Sequence, residues 1–355
     1  MAEKVLMKGN EAIGEAAIVA GCRHYFGYPI TPQTELTEYM SRRMPQIDGV
    51  FVQAESEVAA INMVYGAAGA GARVMTSSSS PGISLKQEGI SYIAGAELPC
   101  VIVNMMRGGP GLGSIQPAQG DYFQATKGGG HGDYHSIVLA PNSVQELVDI
   151  TILAFDLADQ YRNPVIVLGD GALGQMMEPA EFTPAKTKKI DKPWAATGLR
   201  GRNKPNIINS LYLKPEALEQ HNIHLQQKYS LIKANEIRYE TIRTEDAELV
   251  LVAYGITSRI ARSAMEKARS EGIKVGLFRP ISLWPFPEQQ LAEASKNASE
   301  LLTLELSAGQ MIEDVRLAVG GVKPVHFYGR TGGVMPNPQE IYQQIVKIIN
   351  ARGGK

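Results

Sequence analysis

Four short stretches carry side chains whose types and spacing could do chemistry. In "QAESEVAA" an apolar strand pattern gives way to a helical one, and Glu55 and Glu57 stand at the junction. Either carboxylate could cap that helix, because negative charge is favoured at a helix N-terminus. Glu57 is followed by Val58, Ala59, Ala60 and Ile61, surroundings better suited to a desolvated carboxyl that shares a proton with a heterocycle. Arg107 closes the apolar run "PCVIVNMMR" and opens the glycine-rich "RGGPGLGSIQPAQGD". A guanidinium fixed there could grip a carboxylate with two hydrogen bonds, or could structure its own loop. The glycine run matches neither the dinucleotide pattern nor the P-loop. His131 and His135 in "GGGHGDYH" are four apart, but three preceding glycines point to a loop rather than a metal-binding helix. Finally, "VIVLGDGALG" runs a strand into Gly169-Asp170-Gly171, which could open a diphosphate and Mg²⁺ site. Such a site wants a second oxygen ligand about 25–30 residues later and a helix N-terminus for the phosphates. Trp194 to Gly201 contain neither Asn nor Asp, and Pro179 and Pro184 interrupt the stretch that should be helical. The triplet therefore reads as a strand end turning out of a domain.

These residues need a scaffold. The chain has 355 residues, 44% of them apolar, enough for two domains. "HYFGYPI", "GVFVQAE", "RVMTSSSSPG", "PCVIVNMMR" and "NPVIVLGD" read as strands. Between them, "GNEAIGEAAIVAGC", "SEVAAINMVYGAAGAGA", "ISLKQEGISYIAGAE" and "SVQELVDITILAFDLADQYR" read as helices. Apolar strands alternating with helices predict an α/β fold with a mostly parallel sheet covered on both faces. Ligands in such sheets bind beyond the carboxyl ends of the strands, which places residues 28–34, 53–57, 76–82 and 107–114 along one edge. The "TSSSSPG" stretch is expected to be a polar turn.

The rhythm predicts three parts: residues 1–180, a connection over 181–245, and a smaller α/β domain over 246–355. The connection is rich in proline and holds seven basic residues and one acidic residue between Lys186 and Lys204, read as a solvated linker; 216–243 reads as helical. Net charge is −1, so no global field calls for nucleic acid. No apolar run reaches the roughly 18 residues of a membrane span, and the N-terminus lacks the build of a signal peptide, so a cytoplasmic protein is expected. Cys22 and Cys100 are expected to be buried thiols, and two cysteines fall short of the four that usually hold an iron–sulfur cluster.

Taken in order, "FGYPITPQTELTE", "QAESEVAAINMVYGAAGAGARVMTSSSSPGISL" and "NMMRGGPGLG" resemble the α subunit of 2-oxoacid:ferredoxin oxidoreductases. The run "LVLVAYGITSRIARSAMEKARSEGIKVGLFRPISLWPFP", with "LELSAGQMIEDVR" after it, resembles the transketolase C-terminal-type domain of that subunit. The length fits the split-subunit form used for branched-chain 2-oxoacids or 2-oxoglutarate. The resemblance implies that 1–180 is a domain binding the aminopyrimidine half of thiamine diphosphate. It also implies a partner β subunit with the diphosphate and Mg²⁺ site and a [4Fe–4S] cluster, small ferredoxin-like and γ-type subunits, and a dimer of such heteromers. Soluble ferredoxin would accept the electrons, and CoA the acyl group. On this resemblance Glu57 matches the glutamate that bonds the pyrimidine ring, with Pro29 and Ile30 beside the cofactor. Thr31 and Arg107 match the residues at the substrate carboxylate, and Glu55 has no matching role. The expected reaction is the CoA-acylating oxidative decarboxylation of a 2-oxoacid, 2-oxoisovalerate first. The alternatives are 2-oxoglutarate, a non-redox thiamine-dependent half-site, or a non-catalytic adaptor of the same fold.

Overall fold

A computed structural model describes residues 4–183 and 190–352. The chain begins with β1 (Lys4–Lys8), α1 (Gly9–Val19), β2 (His24–Gly27), α2 (Thr34–Arg43), β3 (Val50–Gln53) and α3 (Glu57–Gly69). It continues with β4 (Val74–Ser78), α4 (Ser80–Gly95), β5 (Cys100–Met106), α5 (Tyr122–Thr126), β6 (Ile137–Leu139), α6 (Val144–Tyr161), β7 (Pro164–Asp170), α7 (Gly171–Gln175) and β8 (Met177–Glu181). Six of these strands form a parallel sheet in the order β6-β7-β5-β4-β2-β3. β5 and β7 are buried along their whole length, which is why they read as unbroken apolar runs. β2 leads outward to β3 while β4 lies on its other side, so the chain reverses direction between β2 and β4. A crevice opens at such a reversal, beyond the carboxyl ends of the two strands.

Side-chain caps set where two of the helices start. Ser56 accepts the Ala59 N–H at the head of α3, and Ser143 accepts the Glu146 N–H at the head of α6. Ser56, rather than Glu55 or Glu57, is therefore the cap of α3, which corrects the capping alternative. The "TSSSSPG" stretch is not a polar turn either. Ser77 and Ser78 finish β4, Ser79 is the residue before α4, and all three are buried.

After α8 (Pro215–Asn235) a second sheet forms from β9 (Tyr239–Ile242), β10 (Leu249–Val252), β11 (Val275–Pro280), β13 (Glu300–Glu305) and β14 (Val325–Gly329), in the order β14-β13-β10-β11-β9. Its helices are α9 (Gly255–Ser270), α10 (Glu288–Ala294), α11 (Met311–Ala318) and α12 (Pro338–Arg352). β9 runs antiparallel at the sheet edge, although the sequence there reads as the tail of the preceding helix. A short strand between β11 and α10, β12 (Ser282–Trp284), leaves this unit and pairs antiparallel with β6 of the first sheet.

The two units are joined by buried polar contacts. Gln119 donates to the Tyr254 carbonyl at 2.9 Å and accepts from the Thr257 hydroxyl and the Leu306 N–H, each also at 2.9 Å. Arg279 forks onto Glu146 at 2.7 and 2.8 Å. α8 lies across the first unit, with His221 on the Gly95 carbonyl and Lys228 on the Arg162 carbonyl. The basic run expected to be solvated is partly outside the described residues. Within them, Lys192 pairs with Asp159, Arg162 lies 4.5 Å from the Trp194 ring centre, and Arg202 bonds backbone carbonyls of its own loop.

Candidate active site

The crevice at the β2/β4 reversal is lined by the loop after β2, the β3–α3 junction, the β4–α4 junction and the loop after β5. Glu57 is the first residue of α3 and is 7% exposed. It faces Gly82 in the first turn of α4 so closely that a methyl group built on Gly82 would stand 2.7 Å from Glu57 Oε1 and 2.1 Å from Ser78 Oγ. α3 and α4 approach to this distance because small residues face each other: a methyl at Gly89 would meet Ile61 at 2.5 Å. The hydroxyls of Ser78 and Ser79 are buried without a hydrogen-bond partner. A buried hydroxyl with no protein partner is costly unless a ligand or a water supplies the missing bond.

The loop after β2 is held from below. Tyr25 and Ser77 hydroxyls lie 2.6 Å apart, and Ser77 donates to Gln33 Oε1 at 2.6 Å. Gln33, fully buried, donates its backbone N–H to the Ile30 carbonyl and its side chain to the Tyr28 carbonyl. This sets Pro29 and Ile30 half-buried at the crevice and leaves Thr31 exposed. Arg107, at the end of β5, donates from Nη1 to the Thr31 carbonyl at 2.9 Å and from Nη2 to the Leu112 carbonyl at 3.1 Å. The loop-structuring alternative thus describes part of what Arg107 does. It ties its own loop to the Thr31 loop, and it keeps a buried Nε–H without a partner. Ser80 and Asn104 donate to Asp121 beneath this loop at 2.6 and 2.9 Å, and burial pushes the Asp121 carboxyl up.

Glu57, Thr31, Pro29, Ile30 and Arg107 therefore meet along one edge, while Glu55 is exposed and apart from it. Asp170 does not face this crevice as a metal ligand would. It accepts from the Ala172 and Leu173 N–H groups at the start of α7 and from the Ile256 N–H of α9 at 3.4 Å. Burial pushes its carboxyl up to about 6. His131 and His135 lie on a loop; His135 stacks on Trp284 with ring centres 4.5 Å apart. No cluster of His, Cys, Asp or Glu among the described residues could hold a metal.

One residue of the crevice floor is absent from the reading of the sequence. Lys86 is fully buried, and its ammonium donates to Thr76 Oγ1 at 2.6 Å and to the Ser77 carbonyl at 3.1 Å. The available signal was its position on α4, where it falls on the apolar stripe of Ile83, Ile90 and Ile93.

Residues 15–246 match the family described as pyruvate flavodoxin/ferredoxin oxidoreductase, thiamine diphosphate-binding, and residues 247–341 match its core domain II. The chain belongs to the 2-oxoacid:ferredoxin oxidoreductases. It is 54% identical over 344 residues to the ketoisovalerate oxidoreductase subunit VorB of Methanothermobacter marburgensis, covering 97% of each chain. It is 36% identical to the 2-oxoglutarate synthase subunit KorA of Methanothermobacter thermautotrophicus, covering 98% of this chain and all of that one. Among solved structures, the 2-oxoglutarate:ferredoxin oxidoreductase of Magnetococcus marinus superposes with a TM-score of 0.87 at 29% identity. That match covers 98% of this chain and 66% of the other, with 2-oxoglutarate, coenzyme A and succinyl-CoA bound there. A split-gene transketolase superposes at 0.62 with 14% identity, a likeness of fold alone. The protein is thus one subunit of a multi-subunit oxidoreductase. Among the described residues no helix is long and apolar enough to cross a membrane.

Proposed function

We propose that this subunit serves the oxidative decarboxylation of a branched-chain 2-oxoacid, 2-oxoisovalerate foremost. The 2-oxoacid loses CO₂, CoA takes the acyl group as a thioester, one proton is released, and two electrons pass singly to two oxidised ferredoxins. The observation that carries this reading is the buried Glu57 crowded with the partnerless Ser78 hydroxyl at the sheet reversal, with the partnerless Ser79 next to it in the chain. That donor set fits the aminopyrimidine end of thiamine diphosphate, whose ring offers both donors and acceptors and a flat apolar face. When bound, the cofactor supplies the carbon nucleophile and the electron sink for decarboxylation.

The roles of this chain's residues follow from their placement. Glu57 holds or releases a proton at the pyrimidine ring, in a pocket that excludes water. Pro29 and Ile30 present the half-buried wall beside it. Arg107, its fork already oriented by the Thr31 and Leu112 carbonyls, offers its remaining N–H groups to the substrate carboxylate, with the Thr31 hydroxyl beside it. The diphosphate, Mg²⁺ and the iron–sulfur clusters belong to partner chains: a β subunit, and small ferredoxin-like and γ-type subunits. Asp170, the one residue here that resembled a diphosphate-site ligand, is committed to joining the two units. The higher identity to the ketoisovalerate subunit than to the 2-oxoglutarate one favours the branched-chain acid. The reconstituted complex, assayed with 2-oxoisovalerate, 2-oxoglutarate and pyruvate side by side, should show its highest kcat/KM on 2-oxoisovalerate. A preference for 2-oxoglutarate would reverse the substrate assignment.

A further inference from the structure

Lys86 is a buried charge beneath the crevice to which the proposed reaction gives no task. A lysine costs more to bury than a Leu or Met of similar volume, because its ammonium must leave water. Here it makes two of its three possible hydrogen bonds, both to β4. The same segment reaches both halves of the site. Ser77, whose carbonyl accepts from Lys86, donates its hydroxyl to Gln33, and Gln33 holds the Tyr28 and Ile30 carbonyls of the cofactor-side loop. The next residue, Ser78, is the one crowded with Glu57 around Gly82. The titratable groups that face Lys86 are Glu57 on α3 and Cys100 on β5. Burial pushes the Cys100 thiol up to about 12, so it stays neutral, and Glu57 is the opposite charge that favours the ammonium.

We propose that Lys86 is a positioning residue whose cationic form compensates the Glu57 carboxylate and locks β4 beneath the cofactor's pyrimidine end. The proposal rests on the Glu57 reading given above and adds a second member to it. Burial is the main influence on the lysine and pushes it down to about 7 from 10.5, which places its loss of charge within reach of a pH profile. The ammonium form is present below that pH and lost above it.

The test uses the reconstituted complex with wild-type chain, Lys86→Met, Lys86→Arg and Glu57→Gln, from pH 6 to 9. Two quantities are read: kcat/KM, and the calorimetric affinity for thiamine diphosphate with Mg²⁺. In wild type both should fall as pH rises through the lysine's ionisation. Lys86→Met should lose about 10-fold or more in both at pH 6.5 and show no such limb. Lys86→Arg, which keeps its charge at every pH, should restore much of both and remain flat to pH 9. A wild-type profile without the limb overturns the proposal whether or not the variants assemble. So does a Lys86→Met complex equal to wild type, or an unchanged limb in Lys86→Arg. If Lys86→Met is normal while Glu57→Gln is inactive, Lys86 alone is misassigned. If Glu57→Gln is fully active, the Glu57 reading itself fails.

Discussion

Replacing Gly82 with alanine separates the stability of this chain from its chemistry. The added methyl would stand 2.7 Å from Glu57 Oε1 and 2.1 Å from Ser78 Oγ. Carbon and oxygen pack comfortably at about 3.3 Å, so the carboxylate must retreat by about 0.6 Å and the hydroxyl by about 1.2 Å. Both are ends of rotatable side chains, so the backbone need not move. Gly82 lies in the first turn of α4, and its φ is not in the left-handed region, so alanine suits the helix better by up to about 1 kcal/mol. A misplacement of about 1 Å at a reacting group costs on the order of 100-fold in rate. The account therefore expects Gly82→Ala to fold with a thermal midpoint within a few degrees of wild type, the helix gain offsetting part of an overpacking cost of about 1–3 kcal/mol, while the reconstituted complex loses roughly 10- to 100-fold in kcat. Thermal unfolding followed by circular dichroism, together with steady-state assays, reads both. A stable Gly82→Ala protein with wild-type kcat would refute the claim that Glu57 works where it stands.

Arg107→Ala should raise KM for the 2-oxoacid and lower kcat, because it removes the proposed carboxylate contact and frees the Thr31 and Leu112 carbonyls; equal KM and kcat in steady-state assays would contradict this. His135 is pushed down to about 4, first by burial and then by Lys233 and Lys127. Its folded value lies below the unfolded one of about 6.5, so its contribution to stability is full above about pH 6.5 and lost as pH falls towards 4. Because the ring is partly exposed, that loss is on the order of 1–2 kcal/mol. His135→Phe, which keeps the stack on Trp284, should flatten that part of the acid-unfolding profile, and an unchanged profile would contradict it.

Much of this was legible in the sequence because the determinants are local. The fully buried β5 and β7 read as apolar runs, and the rule that ligands bind beyond the carboxyl ends of such strands places Thr31, Glu57 and Arg107 at one edge from sequence alone. What stayed hidden depends on what packs across. β9 continues a helical pattern in sequence, and only its pairing with β11 makes it a strand. "SSSS" looks like a turn by composition, yet Ser77 is spoken for by Tyr25 and Gln33, residues far away in the chain. Lys86 carries one signal in the sequence, its place on the apolar stripe of Ile83, Ile90 and Ile93, but what its ammonium bonds to on β4 does not show there. The sequence leaves Arg107 two roles, and its geometry shows two carbonyls held and an Nε–H left over, a distinction that spacing alone does not carry.

The account stands most directly on Glu57, a buried carboxylate at the mouth of the sheet reversal, crowded with the partnerless Ser78 hydroxyl. Glu57→Gln keeps the volume and hydrogen-bonding reach but cannot exchange a proton. In the reconstituted complex, supplied with thiamine diphosphate, CoA and 2-oxoisovalerate, the account predicts that ferredoxin reduction falls by at least about 100-fold, within the range that a positioned proton-transfer group contributes. Reduction at the wild-type rate would contradict it.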